Sequence, residues 1–354
     1  MQPHRIAIIE GDGIGPDLIA QVDKIANLLN SKYNSSIEIS KFPYGADYYL
    51  QTGISLPTEF VEQLSKNYDV ILLGPLGDPR IPDMKNAKDI ILGFRHQLNL
   101  SMNIHPVKLY RSWLSSMKDT EIKKTDFLII RENTEGCTAL SENSINRGKD
   151  TELVLRSGII TRKNVEQFIR DSFHYVKKQG RERICFIDRS TLFPVSHQLW
   201  RSVIEEVSPE YPDIPVNYMQ INTAINELIN KPDEFDVIVT TNDCGDVLST
   251  LSTVITGGFG LFFSIEMNPN LISLYRIMQS ASSKLAGRNT ANPLSAILAF
   301  RFILDELTLL TEAKVLEQAI RNNFENHWVT IDLGGIIGTE EVGDYICDFI
   351  SRVA

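Results

Sequence analysis

The stretch RIAIIEGDGIGPDLIAQVDKIANLL, residues 5–29, contains three segments in the order from which α/β folds are built. A short apolar run leads into a turn with three glycines, and apolar residues then recur near a helical period. These periodic positions are Leu18, Ile19, Val22, Ile25, Ala26 and Leu29. The stretch therefore predicts a β-strand, a glycine turn and an amphipathic helix.

Four further apolar runs end in polar residues in the same way. They lie in YDVILLGPLGDPR (68–80), TDFLIIRENTEG (125–136), RICFID (183–188) and FDVIVTTNDCGD (235–246). Apolar strands separated by helical stretches predict an α/β chain with a mostly parallel or mixed sheet. Ligands in such sheets lie at the carboxyl ends of the strands, so the polar residues there are candidates for a site.

The composition argues against several classes of protein. The 354 residues are 43% hydrophobic and 23% charged, as in ordinary globular proteins, and the length suggests about two domains. The net charge of −10 argues against nucleic acid or an acidic membrane as the main partner. No apolar run approaches the ~20 residues of a membrane span, and the first is too short for a signal peptide. The four cysteines form no CxxC pair, so we expect reduced thiols and a cytoplasmic location.

The glycine turn GDGIGP (11–16) has two interpretations. It lies where a phosphate cradle would precede a helix, but it lacks the spacing G-x-G-x-x-G. It is equally a tight strand-to-helix turn that needs positive φ. The polar segment 137–153 is interpreted as an exposed excursion, either a hairpin or a subunit contact.

Several charged residues are candidates for anion or metal binding. Arg131 ends an apolar run, where a guanidinium can hold an anion with two hydrogen bonds. Asp243 and Asp246 are three apart and form at best half a magnesium site, or simply favour the start of a helix. Lys284 and Arg288 lie in a Ser/Gly/Asn loop that suits a phosphate or nucleotide, or is a basic surface turn.

Together these motifs resemble the β-decarboxylating dehydrogenases, the family of isopropylmalate, isocitrate, homoisocitrate and tartrate dehydrogenases. The resemblance covers almost the whole chain and follows the order GDGIGP, YDVILLGPLGDPR, FRHQLNLSMNIHP, IIRENTEG, NDCGDVLS and AGRNTANP. It implies an isopropylmalate-dehydrogenase-like two-domain α/β fold with a mixed sheet. A discontinuous cofactor-side domain would comprise residues 1–104 and 257–354. A central domain of residues 105–256 would carry dimer contacts and active-site residues.

The resemblance also implies a chemistry. Members of the family oxidise a 2-hydroxy acid with NAD or NADP, and a divalent cation, magnesium or manganese, helps a carboxylate leave as carbon dioxide. A small carboxylic acid is thus the implied ligand, within a homodimer or a mixed oligomer with a catalytic paralogue. Arg95 and Arg131 match substrate-binding arginines of the family. His105 occupies the position of a third, and binds a carboxylate only when protonated.

Other family positions hold different residue types here. Thr138 matches the family's acidic tyrosine, and Arg189 matches its lysine. Arginine stays protonated at physiological pH and cannot relay a proton as lysine does. Of the three metal aspartates only Asp246 matches, while Asn222 (from the partner subunit) and Thr250 replace the others. One carboxylate, an amide and a hydroxyl predict a weak divalent-cation site.

The cofactor loop QSASSKLAGR (279–288) differs from the family pattern H-G-S/T-A-P-D-x-A-G-K. Lys284 replaces an acid that binds the adenosine ribose in NAD-using relatives, so NADP is favoured over NAD. Further positions matching the cofactor site are Gly11, Gly13, Gly15 and Asn292. We expect a divergent member that acts on or binds a 2-hydroxy (di)carboxylic acid with a nicotinamide nucleotide. The alternative is a non-catalytic, regulatory or ligand-binding paralogue.

Overall fold

A computed structural model describes residues 3–117, 125–136, 141–269 and 271–353. The chain divides into two compact units. Unit 1 comprises Met1–Asn99, Leu109–Glu121 and Thr253–Ala354, and unit 2 comprises Leu100–Lys108 and Ile122–Ser252. None of the helices in the described ranges is long and apolar enough to cross a membrane.

Strands and helices alternate through most of the chain, as the sequence predicts. The strands are β1 (His4–Ile9), β2 (Ile37–Phe42), β3 (Val70–Leu73), β4 (Met102–Lys108), β5 (Asp126–Glu132), β6 (Ser141–Ile145), β7 (Leu153–Ser157), β8 (Ile184–Asp188), β9 (Val216–Gln220), β10 (Val237–Thr240), β11 (Phe263–Met267) and β12 (Ser273–Ile277). The helices are α1 (Gly15–Tyr33), α2 (Ala46–Thr52), α3 (Thr58–Asn67), α4 (Lys85–Gln97), α5 (Arg162–Lys178), α6 (Pro194–Val207), α7 (Ile221–Asn230), α8 (Asn242–Thr256), α9 (Leu294–Glu306), α10 (Leu310–Glu325) and α11 (Thr339–Arg352).

Unit 1 contains five neighbouring strands in the order β2-β1-β3-β12-β11. Strand β1 pairs in parallel with β2 and β3, and β12 pairs in parallel with β3 but antiparallel with β11. The sheet is therefore mixed, as predicted. The strand, turn and helix predicted for residues 5–29 are confirmed. The six apolar positions of α1 are all buried, because the helix packs against α11, α9 and β2.

Unit 2 contains the strands in the order β4-β5-β10-β8-β9. Strands β5, β10, β8 and β9 are parallel, while β4 is antiparallel to β5. Each of the parallel strands β5, β8 and β10 ends in polar residues, so these residues share one edge of the sheet.

The polar segment after residue 140 contains an antiparallel hairpin of β6 and β7, as one of the two interpretations predicts. Its apolar side chains are largely exposed, and three examples are Ile145, Val154 and Leu155. In the described part of the chain, Cys185, Cys244 and Cys347 are free thiols. For those three residues, the free thiols agree with the expectation that the chain has no disulfide framework.

Candidate functional site

In unit 2, three candidate residues follow neighbouring parallel strands. Arg131 lies near the end of β5, Arg189 follows β8, and Asp243 follows β10 at the start of α8. Parallel pairing places Arg131 opposite Thr240 of β10 and Thr240 opposite Ile187 of β8. The sheet thus brings these three charged residues to one edge, as their positions at strand ends predict.

Arg131 is held by the first turns of α8. Its Nη1 donates to Oδ1 of Asp246 at 2.8 Å, and its Nη2 donates to Oδ1 of Asn242 at 3.3 Å. A Cβ added at Gly245 would lie 2.6 Å from Cγ of Arg131, so glycine allows the arginine stem to lie against the helix. The side chain of Arg131 is 11% exposed and that of Asp246 is 67% exposed. The carboxylate is therefore the partner that can move away.

Arg189 lies in the turn between β8 and α6. Its Nε is 3.9 Å from Oδ2 of Asp243, which is a long ion pair, and its side chain is 32% exposed. The preceding Asp188 is fully buried and accepts from Arg201 Nε at 2.8 Å and Ser190 N at 3.1 Å. Burial opposes ionisation of Asp188, but these hydrogen bonds outweigh it and hold its pKa below the usual value. A buried, charged anchor thus fixes the turn that presents Arg189.

His197 is a buried residue of this region that the sequence analysis missed. It is 4% exposed and lines a cavity of about 260 Å³ together with Trp200 and Asp243. Burial lowers the pKa of His197, although the carboxylates of Asp188 and Asp243 act in the opposite direction. A single histidine inside an amphipathic helix gives no signal in the sequence, because only packing decides whether it is buried.

Glu132 follows Arg131 at the end of β5 and lines the same cavity as His197. It is also absent from the sequence predictions. Its Oε1 accepts from Thr134 N, Thr134 Oγ1 and Glu135 N at 2.6–2.9 Å. Burial raises the pKa of this carboxyl despite those hydrogen bonds. Its backbone oxygen accepts from Asn242 Nδ2 at 2.8 Å and so ties β5 to the start of α8.

The chain's own residues do not fit a divalent-cation cage. The Asp246 carboxylate is already hydrogen bonded to Arg131. Thr250 lies one helical turn further along α8, and Asn222 is an exposed amide on α7. Among the residues that the structure describes, no three His, Cys, Asp or Glu side chains are grouped to hold a metal ion. Magnesium requires several oxygen ligands in near-octahedral geometry, which one paired carboxylate does not supply.

In unit 1, Arg95 is committed to an internal ion pair that the sequence did not reveal. Its Nε and Nη2 donate to the two carboxylate oxygens of Glu266 at 2.6 and 2.8 Å. Glu266 is fully buried and Arg95 is 8% exposed. Two donors of the guanidinium therefore serve the fold. Binding of substrate by Arg95 stays a prediction.

His105 and Thr138 are the remaining substrate and acid positions. His105 lies in β4 opposite Ile129 and is fully buried. Its predicted contact with a carboxylate stays a prediction. Thr138, expected at the position of the family's acid, lies outside the described residues.

The glycine turn before α1 is tightly enclosed by backbone. Gly11 and Gly13 have φ of +78° and +57°, where glycine is favoured. A Cβ at Gly13 or at Gly15 would lie 2.0 Å from a backbone carbonyl oxygen. The amide of Ile14 is already used, donating to a backbone carbonyl at 2.8 Å. Close packing thus explains why glycines occupy these positions of a tight turn.

The cavity next to this turn is acidic. It has a volume of about 340 Å³ and is lined by the carboxylates of Glu10, Asp12, Asp47 and Asp78, with Arg80 as its cation. Four carboxylates against one guanidinium repel a phosphate. The acidic lining and the close packing favour the tight turn, and a role of the glycines in cofactor binding stays a prediction.

The loop with Lys284 borders a larger cavity of about 570 Å³. Residues 280–285 form one wall, and residues 76–79 with Met84 form the other. Serine hydroxyls and the Lys284 ammonium of this lining are groups that bind phosphate. The Asp78 carboxylate, which also lines it, is paired with Arg80 Nη2 at 2.7 Å. Asn292 is used within the fold, since its Nδ2 donates to Asp332 at 3.0 Å and its Oδ1 accepts from Leu294 N at 3.0 Å.

Comparison with known proteins identifies relatives over nearly the full length. A family model described as isocitrate/isopropylmalate dehydrogenase matches residues 5–346. A 3-isopropylmalate dehydrogenase from Zymomonas mobilis is 34% identical, covering 97% of this chain and 98% of that protein. A homoisocitrate dehydrogenase from Methanocaldococcus jannaschii is 32% identical, covering 98% of each. The crystal structure of isocitrate dehydrogenase from Methylococcus capsulatus shares the fold, with a TM-score of 0.86 and 24% identity over 99% of this chain and 100% of that one.

Proposed function

Since the chain belongs to the isocitrate/isopropylmalate dehydrogenase family, we propose that it binds a 2-hydroxy (di)carboxylic acid and a nicotinamide nucleotide at a site where the family's usual acid, base and metal ligands are largely replaced. The single observation that carries this proposal is the cation pair of Arg131 and Arg189 at the strand ends of unit 2. Both guanidinium groups are permanently charged, and each has a carboxylate partner of this chain nearby.

A ligand carboxylate can take the place of those partners. Asp246 is 67% exposed, so it can turn into solvent while Arg131, which is 11% exposed, stays in position. The Arg189 to Asp243 pair is already loose at 3.9 Å. An exchange of one carboxylate for another conserves the charge-assisted hydrogen bonds, so it costs little free energy. Arg131 and Arg189 are therefore the residues we expect to hold the acid.

A divalent cation contributes little to this binding. Asp246 is the one carboxylate that matches the family's metal ligands, and its partner in the fold is a guanidinium. Arg131 supplies fixed positive charge beside the ligand, although it cannot activate a hydroxyl as a Lewis acid. We therefore expect weak binding of magnesium or manganese, and slow oxidative decarboxylation at most.

The nucleotide is assigned to the cavity bordered by residues 280–285. Lys284 is a point charge that suits the 2′-phosphate of NADP, whereas a free 2′-hydroxyl lacks its usual carboxylate acceptor there. NADP is thus preferred over NAD.

Calorimetry on the full chain tests these assignments. Isopropylmalate and isocitrate are titrated with and without magnesium, NADP and NAD are titrated separately, and turnover is followed by nucleotide absorbance. We expect binding of an acid with less than a twofold change on adding magnesium, tighter NADP than NAD, and little turnover. Rapid magnesium-dependent reduction of either nucleotide would contradict the replaced site.

A non-catalytic paralogue is the second candidate, and Arg189 favours it. A permanently protonated guanidinium stands where the family has a lysine that relays protons, so binding without turnover is its expected signature. Such a protein would work in a mixed oligomer with a catalytic relative, whereas the first candidate needs only a homodimer.

The proposed oligomer involves the central domain, residues 105–256. Unit 2 exposes apolar side chains on the β6–β7 hairpin and at the start of α6, including Val154, Phe193 and Val195. Exposed apolar groups of this kind favour association. Light scattering after gel filtration separates a homodimer from a monomer that awaits another chain. The expected cytoplasmic location is a prediction that fractionation of cells would test.

A further inference from the structure

A cavity of unit 2 lies at the amino ends of β8 and β10, away from Arg189 and Asp243, which follow the carboxyl ends of these strands. Its volume is about 370 Å³, within the range of roughly 300–1,000 Å³ that is usual for small-molecule sites. Side chains of β8, β9, α7 and the segment between α7 and β10 line it. The cavity therefore does not belong to the candidate site described above.

The floor of the cavity is apolar and is not completely covered by the helix above it. Cys185 of β8 and Met219 of β9 line the cavity and pack against the buried core of unit 2, which includes Ala224 and Leu228 of α7. Both side chains are nevertheless only partly buried. Burial raises the pKa of the Cys185 thiol to about 11, so it stays protonated and adds no charge to the floor. An apolar group of a ligand can therefore gain free energy by covering this floor.

One ammonium and two carboxylates lie beside this apolar floor. Lys231 Nζ is 3.7 Å from Oε2 of Glu227 and 3.6 Å from Oε1 of Glu234. Both distances are longer than a normal hydrogen bond, so the three groups attract one another and keep the capacity to hydrogen bond to a ligand. The side chains of Lys231 and Glu234 are 55% and 62% exposed. Exposed ion pairs contribute little to stability, so their rearrangement around a ligand costs little free energy.

The segment that carries Lys231 and Glu234 is held in place by hydrogen bonds. Arg183 Nη2 donates to the backbone oxygen of Glu234 at 2.8 Å. Oδ2 of Asp236 accepts from the amides of Glu182 and Arg183 at 2.6 and 3.0 Å. The backbone beside the cavity is therefore fixed before a ligand arrives, and less conformational entropy is lost on binding.

We propose that this cavity binds a zwitterion with an apolar side chain, such as an aliphatic α-amino acid. The carboxylate of the ligand accepts from Lys231, and its ammonium donates to Glu227 or Glu234. Its side chain contacts Cys185 and Met219. A ligand with a carboxylate alone meets two like charges here, and an amine alone meets the lysine ammonium, so each binds more weakly than the zwitterion. This site does not depend on the acid and nucleotide assignments above.

The test uses three probes with similar aliphatic chains on the full-length protein. L-norleucine carries both charges, hexanoate lacks the ammonium, and pentylamine lacks the carboxylate. Each probe is titrated and its binding is followed by ligand-observed NMR. We expect norleucine to bind at least about tenfold more tightly than either of the others, the ratio that corresponds to 1.4 kcal/mol. If norleucine does not bind, or if a probe with a single charge binds as tightly, the proposal is wrong.

Variants then assign the binding to Lys231. Lys231→Met should weaken norleucine about tenfold, and Lys231→Arg, which keeps the charge, should weaken it less. Lys178→Met removes an exposed ammonium from the end of α5 and should leave the affinity unchanged. Unchanged affinity in Lys231→Met rejects the site, as does an equal loss in Lys178→Met.

The native thiols give a second measurement that needs no variant. Norleucine that covers the floor should slow labelling of Cys185 by N-ethylmaleimide, read by peptide mass spectrometry. Cys347 of α11 is the matched control, because burial raises the pKa of its thiol to about 11 as well. Its labelling should not change. A Cys185 labelling rate that is the same with and without saturating norleucine places the ligand elsewhere and rejects the site.

Discussion

At the scale of single residues, charge partners decide what the candidate groups can do. Arg189 and Arg131 lie at neighbouring strand ends, yet their surroundings differ. Arg131 is held by an exposed carboxylate and an amide, whereas Arg189 has one carboxylate at 3.9 Å. Arg189 therefore has more freedom to turn toward a ligand. Its residue type was readable from the sequence, but its partner Asp243 was not.

Removing the Arg189 charge should weaken binding of the acid without unfolding the protein. The side chain is 32% exposed and its ion pair is long, so Arg189→Gln should change the free energy of unfolding by less than about 1 kcal/mol. Loss of a charge-assisted hydrogen bond should raise the dissociation constant of the bound acid about tenfold. Calorimetry measures this, and Arg183→Gln, at the other end of β8, is the matched control. The same loss in both variants would remove Arg189 from the site.

Restoring a lysine alone should not restore a dehydrogenase. In Arg189→Lys the side chain can exchange a proton, but the metal ligands remain incomplete at Asn222 and Thr250. We expect nucleotide reduction with isopropylmalate or isocitrate to stay at the level of the unmodified chain in the presence of magnesium. Strong activity in this single variant would show that the cation site is functional after all.

Asp188 should make the stability of unit 2 sensitive to acid. Its pKa is held below the usual value in the folded state, so its contribution is fully present above the unfolded-state pKa and is lost as the pH falls through the folded-state value. Asp188→Asn should lower the free energy of unfolding by about 2 kcal/mol at neutral pH. The difference from the unmodified chain should shrink in acid. Urea unfolding at several pH values measures both, and a pH-independent difference would contradict the charge-based explanation.

At the scale of elements, helix ends are fixed by groups far away in the sequence. Helix α11 ends at Arg352, and the Lys32 ammonium from α1 donates to the carbonyl oxygens of Ile350 and Ser351 at 2.7 and 3.1 Å. Carbonyl groups at a helix end lack intrahelical partners and attract cations. The sequence shows a lysine near the end of α1, but not the second helix that it serves.

Lys32→Met should therefore destabilise unit 1 although it keeps an unbranched side chain of similar length. We expect a loss of about 1–2 kcal/mol, because a cation is removed from carbonyl groups that no helix bond satisfies. Thermal unfolding measures the loss. Lys66→Met is the matched control, since that ammonium is exposed and lies 4.0 Å from its helical neighbour Glu62. Equal stability of the two variants would show that water replaces Lys32 at no cost.

At the scale of the whole molecule, the expected response to ions separates this chain from a metal-dependent enzyme. A ligand that binds only the folded protein raises its melting temperature. Because Asp246 is hydrogen bonded to Arg131, magnesium alone should leave the melting temperature within about 1 °C. A binding acid should raise it by several degrees with or without magnesium. A large magnesium shift in the absence of acid would contradict this reading of the site.

The sequence by itself determined the fold class and the family. Apolar runs alternate with helical periodicity, and that pattern depends only on which side chains avoid water. It placed β1, the glycine turn and α1, and it placed Arg131, Arg189 and Asp243 at strand ends.

Only the tertiary structure decided which charges neutralise one another. The Arg95 to Glu266 pair joins residues 171 apart, and Arg131 to Asp246 joins residues 115 apart. No local pattern encodes such pairs, because they form where strands and helices distant in sequence are packed together. The same holds for the acidic cavity beside the glycine turn. Burial and distance determine how strongly two charged groups interact. Both are properties of the packed units and not of the sequence.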